Sequence, residues 1–291
     1  MPEPLRARLV RTRATAPDSV RVAAANRPRG PELAQRGRFL LIAADHPARA
    51  SMTVRGRANA MADRVDLLDR LLVALSRPGV AGVLGTADIL EDLLLLDALA
   101  GKIVVGSMNR GGVPGTVFEI DDRFTAYDAD TLTAMRFDAG KMLLRIDPDD
   151  PATASALERC AQAVSALAAR ELVSVVEPFW VRRDGAGARV NDLSTDAVIR
   201  SVAVAQALGS RSAYTWLKLP VVDDMPRVLA ATTLPVVLLG GDPQGDPDAS
   251  YQAWRRALTD ESVRGLVVGR ALLYPPDDDV AAAVDTAAGL L

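Results

Sequence analysis

Eight short apolar segments, at 39–44, 80–84, 102–106, 141–146, 172–177, 214–219, 235–239 and 263–268, alternate with stretches whose leucines, alanines and valines recur at helical spacing. Runs of this length, bounded by glycine, proline or polar clusters, read as buried strands. A strand followed each time by a helix calls for right-handed parallel units. Eight such units in 291 residues fit a closed α/β TIM (β/α)8 barrel. An open doubly wound sheet fits less well: no GxGxxG follows the first segment, and polar residues stand at the outlets of many strands instead of two. The chain is expected to form a single barrel domain over 1–291, with 1–35 as a helical N-terminal extension.

Punctuation along the chain agrees with this. Pro78 and Gly79 end a helix over 63–76, Thr86 or Asp88 opens the next through Leu99, and Gly101 breaks it. Further helices are expected at 130–137, 153–170, 195–208, 225–230, 249–258 and 277–291, with a plain loop over 178–192. Cys160 falls in the alanine-rich helix 153–170 and reads as a small buried hydrophobe.

Charge and composition remove several classes of function. With 34 basic against 37 acidic residues there is no global positive field to hold a nucleic acid. The leucine-rich stretch 89–99 contains Glu91, Asp92 and Asp97, so no membrane span is expected. Arg6, Arg8, Arg11, Arg13 and Arg21 read as a solvated amphipathic helix in preference to a targeting peptide. A lone cysteine excludes an internal disulfide and points to a reducing, cytoplasmic setting. His46 is the only histidine, which removes most zinc arrangements.

In a barrel the carboxyl ends of the strands meet at one mouth. They deliver Asp45 and His46 from the first strand, Asn109 and Arg110 from beyond the third, Lys141 and Arg145 on the fourth and Glu177 on the fifth. Lys218 comes on the sixth, Gly240 and Gly241 after the seventh, and Gly269 and Arg270 after the eighth. Lys218 sits near the end of the apolar run YTWLKLP, where a lysine must reach solvent or be held for a purpose. Desolvation and the nearby cations Lys141 and Arg145 favour its neutral form, a nucleophile able to form a Schiff base with a carbonyl. Asp45 and Glu177 are candidates to move protons. Each residue also has a plainer reading: a salt-bridged or snorkelling Lys218, an Asp45 that caps a helix or pairs with Arg49, a His46 that fixes its loop. Trp180 and Trp216 flank the mouth in sequence, the second sharing a face with Lys218, and serve either to exclude water or to pack the core. Glycine amides after the last two strands suit a phosphate, with Arg270 facing it or tied to Asp277 or Asp278. Asp45, Glu177 and Asp242 follow no metal-binding spacing, so neither a metal nor another cofactor is expected.

The motifs AADHP, GKMLLRID, VVEPF, WLKLP, VVLLGGDP and GLVVGRALL, in this order on successive strands, give the chain from about Phe39 onward a resemblance to class I Schiff-base aldolases. That superfamily contains deoxyribose-phosphate, tagatose 1,6-bisphosphate and archaeal-type fructose-bisphosphate aldolases. The resemblance implies that Lys218 forms the imine, that Lys141 is a second lysine of the site, that Glu177 and Asp45 are its acidic residues, and that the last two strand ends grip phosphate. Closer still, the chain resembles an actinobacterial group of barrel proteins found beside inositol-catabolism genes. There the expected role is cleavage of 5-dehydro-2-deoxygluconate 6-phosphate.

The expected activity is thus a metal-independent aldolase acting on a phosphorylated keto sugar or sugar acid, with assembly of copies through outer helix faces. Two alternatives stay open: an isomerase or epimerase that uses Glu177 as base without a covalent intermediate, and a phosphosugar-binding barrel without turnover.

Overall fold

The computed structural model describes residues 3–241 and 245–291. Its strands are β1 (Phe39–Ala43), β2 (Val80–Gly85), β3 (Ile103–Ser107), β4 (Ala139–Ile146), β5 (Val173–Arg183), β6 (Arg189–Asn191), β7 (Thr215–Leu219), β8 (Val236–Leu239) and β9 (Val263–Val268). Among the described residues, eight of them pair in parallel in the order β1-β2-β3-β4-β5-β7-β8-β9, and β9 returns to β1, closing the barrel. The helices are α1 (Leu5–Thr15), α2 (Ser19–Asn26), α3 (Arg64–Ser76), α4 (Ala87–Leu95), α5 (Ala129–Ala134), α6 (Ala152–Ala168), α7 (Thr195–Ala205), α8 (Met225–Leu229), α9 (Pro247–Ala257), α10 (Arg270–Leu273) and α11 (Val280–Ala288). No helix among the described residues is long and apolar enough to cross a membrane.

Strand alternation sorts the side chains into two cores. Leu40 and Ile42 of β1 face outward and pack under the helices, whereas Phe39, Leu41 and Ala43 point into the barrel. Phe39 and Trp216 stack with ring centroids 6.0 Å apart and fill the lower interior with Ile103, Ala139 and Val175. Trp216 therefore packs the core two residues below Lys218, and it does not line the cavity above; nor does Trp180, whose ring lies 5.1 Å from the Arg200 guanidinium. Cys160 is buried in α6, and burial pushes its thiol up to about 12.

The N-terminal extension closes the opposite end of the barrel from the mouth. Leu33 joins the interior core, and buried Arg27 donates to Lys102 O at 2.9 Å and to Arg136 O at 2.5 Å, carbonyls that precede β3 and β4. Arg13 ties α1 to α4 through Glu91 and Asp92, both at 2.9 Å, while Leu9 is the one buried residue of α1.

One expectation is corrected. The segment 178–192 is not a plain loop: β5 runs on to Arg183 and folds back antiparallel through β6. Pro178 reads as a strand end, yet it lies beyond Val176, the last residue of β5 that pairs with β7, so its missing N–H interrupts no ladder on that side. Asp147 anchors this hairpin, its Oδ2 lying 3.1 Å from both Arg183 and Arg189.

Candidate active site

A cavity of about 450 Å³ opens at the carboxyl ends of the strands. Asp45, His46, Lys141, Arg145, Glu177, Lys218, Gly240, Gly241, Gly269 and Arg270 all line it. Strand parity explains the convergence: Lys141 on β4, Glu177 on β5 and Lys218 on β7 each occupy an inward position one layer above the apolar plug.

Four of these residues form a continuous chain of buried charge. Lys218 Nζ donates to Glu177 Oε1 at 2.5 Å. The other oxygen of Glu177 pairs with Lys141, whose Nζ also reaches Asp45 Oδ2 at 3.1 Å. Asp45 further accepts from Ser107 Oγ and Arg110 Nη1, both at 3.2 Å, so its partner is Arg110 and not Arg49.

Burial by itself would raise both carboxyl pKa values, but the adjoining cations override it. Lys141 and Arg110 hold Asp45 well below the usual carboxylate range, and Lys141 and Lys218 bring Glu177 down to about 2. Burial is also the main cause at Lys218, and with the charge of Lys141 it outweighs the attraction of Glu177, so the amine pKa falls. His46, pushed down to about 4 by burial despite Asp45, is neutral at pH 7, with Nδ1 4.0 Å from Asp45 Oδ1.

The glycines occupy the expected side of the mouth. Gly241 has φ of 66°, and a Cβ on Gly269 would stand 2.2 Å from Ala43 O and 2.7 Å from His46 Cε1, so only glycine lets the end of β9 pass this close to β1. Arg270 lines the same side and donates to Thr53 O at 3.4 Å, while Asp278 is held by Arg70 at 2.6 Å. Asp242 lies outside the described residues, and among those described no three His, Cys, Asp or Glu side chains are grouped to hold a metal.

Arg145 departs from expectation. It shares the inward face with Lys141, but its Nη1 is paired with Glu119 Oε1 and its Nη2 donates to Glu119 O at 2.7 Å. Its charge is thus matched by a carboxylate from the β3–α5 loop, and the neighbouring cation that lowers the Lys218 pKa is Lys141. Sequence reasoning passed over Glu119, Asp122 and Ser107, which carry no periodic signal, and Trp254 of α9, which lines the cavity. A usable signal was the scarcity of lysine: it occurs only at 102, 141 and 218 among 34 basic residues, and two of the three meet here.

No curated protein matches the sequence. Among solved structures, the crystal structure of Cgl0159 from Corynebacterium glutamicum is 51% identical, with a TM-score of 0.95 over 98% of this chain and 96% of that one. An archaeal fructose-1,6-bisphosphate aldolase, described with its catalytic lysine covalently bound to the carbinolamine intermediate, shares 19% identity at TM-score 0.64, over 93% of this chain and 98% of that one. A fructose-bisphosphate aldolase from Slackia heliotrinireducens shares 14% at TM-score 0.63, over 94% and 89%. At such identity these two aldolases establish likeness of fold. The Cgl0159-like family model matches residues 37–288, the whole barrel, and the chain belongs to the Cgl0159-like family.

Proposed function

We propose that this protein is a class I aldolase whose imine-forming residue is Lys218. The observation that carries the reading is a buried lysine of lowered pKa, facing a cavity of about 450 Å³ and held by a carboxylate that a second lysine also grips. The likeness of fold to Schiff-base aldolases supports it by analogy.

The geometry suits the following sequence of steps. Neutral Lys218 Nζ attacks a ketone carbon, and the alkoxide that forms takes up a proton from solvent. Glu177, in contact with Nζ, accepts a proton from the nitrogen and returns it to the departing hydroxyl, which leaves as water and gives the iminium. Ionised Asp45 then removes the proton of the hydroxyl on the β-carbon, the carbon-carbon bond breaks, and its electron pair moves into an enamine. Protonation of the enamine carbon and hydrolysis of the imine release the second product and restore the amine. Lys141 keeps both carboxylates ionised and fixed. The glycines at the ends of β8 and β9, with Arg270, suit the phosphate of a phosphorylated keto sugar or sugar acid. The first substrate to test is 5-dehydro-2-deoxygluconate 6-phosphate.

The rival isomerase reading is weaker, because it leaves the buried Lys218 amine, which faces the cavity with a lowered pKa, without a task. Borohydride reduction in the presence of dihydroxyacetone phosphate tests the proposal. A covalent adduct that maps to Lys218 is expected. No adduct with this or any ketone of a phosphosugar panel would overturn the reading.

A further inference from the structure

Arg110 takes no step in that sequence, yet it is as buried as the residues that do, with only 6% of its side chain exposed. Its guanidinium grips Asp45 at two places: Nη1 donates to Oδ2 at 3.2 Å, and Nη2 donates to the main-chain oxygen. The backbone beneath it is fixed in turn, since the N–H groups of Arg110 and Gly111 both donate to Arg123 O, at 3.2 and 3.0 Å. Ser107 Oγ, Arg110 Nη1 and Lys141 Nζ all converge on Oδ2 of Asp45. The three donors leave Oδ1 on the side of His46, whose Nδ1 lies 4.0 Å away.

A count of charges shows what Arg110 changes. Asp45 and Glu177 are two carboxylates; without Arg110, Lys141 and a protonated Lys218 would balance them, and the amine would be held as an ammonium. With Arg110 present, Arg110 and Lys141 already supply both positive charges. We propose that Arg110 is a positioning residue that acts on Lys218 through Asp45, neutralising that carboxylate so that Lys218 is left as the free amine.

The other charged or titratable groups facing this amine are Glu177 on β5, Lys141 on β4, and Asp45 and His46 after β1, with Arg270 beyond the imidazole. Lys141 pairs with both carboxylates, whereas Arg110 pairs with Asp45. The inference rests on Lys218 being the nucleophile, but its test does not require turnover.

Trace labelling of the full-length protein with acetic anhydride across pH reads each amine separately, because cleavage at arginine places Lys102, Lys141 and Lys218 on different peptides. Arg110→Met is expected to raise the labelling midpoint of Lys218 by about one pH unit, and Arg110→Lys to restore most of the shift. In an Asp45→Asn background, Arg110→Met should move the midpoint little, since the carboxylate through which it acts is gone. If Arg110→Met fails to fold, Arg110→Gln removes the charge while keeping a donor to the Asp45 main chain. Equal midpoints in wild type and in the uncharged variant would overturn the proposal, as would an Arg110→Lys variant that behaves like the uncharged one. A shifted midpoint with no borohydride adduct would uphold the electrostatic role and count against the aldolase instead.

Discussion

Arg49, Asp122, Arg145 and Glu119 form one buried group of charges above the barrel, and Asp45, Arg110, Lys141, Glu177 and Lys218 form another beside it. In the first, every cation has its own carboxylate: Arg49 lies 2.5 Å from Asp122, and Arg145 is paired with Glu119. Nη groups of both arginines also donate to main-chain oxygens, including Gly112 O at 2.8 Å, and the carboxylates accept from the N–H groups of Gly112 and Gly115. This group binds the β3–α5 loop to β4 and to the turn after β1. The second group has three cations for two carboxylates, and the surplus falls on a lysine. Arginine stays protonated in almost any protein setting, whereas a buried lysine can give up its proton. Closed pairs of arginine and carboxylate hold the loop; an unbalanced set that includes lysine favours the neutral amine that the proposed aldolase requires.

The harshest way to break this contrast is to delete the amine. Lys218→Met is expected to abolish borohydride trapping and to lower turnover by at least roughly 10,000-fold. The fold should survive, since Glu177 keeps Lys141 and a buried polar group becomes apolar; thermal melting should show no loss, or a gain of about 1 kcal/mol. Substantial turnover by Lys218→Met would move the chemistry to another residue.

Arg145→Met asks whether the first group is structural. It leaves the Glu119 carboxylate buried without its cation, and a cost of about 3–5 kcal/mol is expected in denaturant unfolding. Arg145→Met combined with Glu119→Gln should recover part of that loss. The labelling midpoint of Lys218 should stay where it is in wild type. If Arg145→Met moves that midpoint, the two groups are one electrostatic unit and the contrast fails.

The second group was legible in the sequence and the first was not, for a physical reason. Strand ends are fixed by a period of two and by the glycine or proline that follows, so Asp45, Lys141, Glu177 and Lys218 could be placed at one mouth from pattern alone. Parity also put Arg145 on the correct face. What it could not reveal is Glu119, which lies in a long segment between β3 and α5 with no periodic signal, and whose pairing turns Arg145 from a free cation into a clasp. The β5–β6 hairpin was hidden differently: Pro178 carries the signal of a strand end, and only the shortness of β7 beside it lets the strand continue.

The smallest expected effect separates the two groups by pH. His46 belongs to the mouth, and its pKa is depressed from an ordinary 6.5 to about 4 on folding. Between those values the unfolded chain binds more protons than the folded one, so stability rises with pH across that window. The contribution of His46 is complete above pH 6.5 and is lost as pH falls toward 4. With some allowance for its partial exposure to the cavity, it amounts to about 2 kcal/mol. His46→Gln should flatten the fall in stability between pH 6.5 and 4.5, leaving the steeper loss below pH 4 that comes from Asp45 and Glu177, whose pKa values are also depressed. Arg145→Met combined with Glu119→Gln, which removes both charges of that pair, should do the opposite, lowering the whole curve of stability against pH without changing its shape in that window. A His46→Gln curve parallel to wild type from pH 6.5 to 4.5 would mean that the imidazole keeps enough water in the mouth to titrate normally, and that solvent already screens the charges around Lys218.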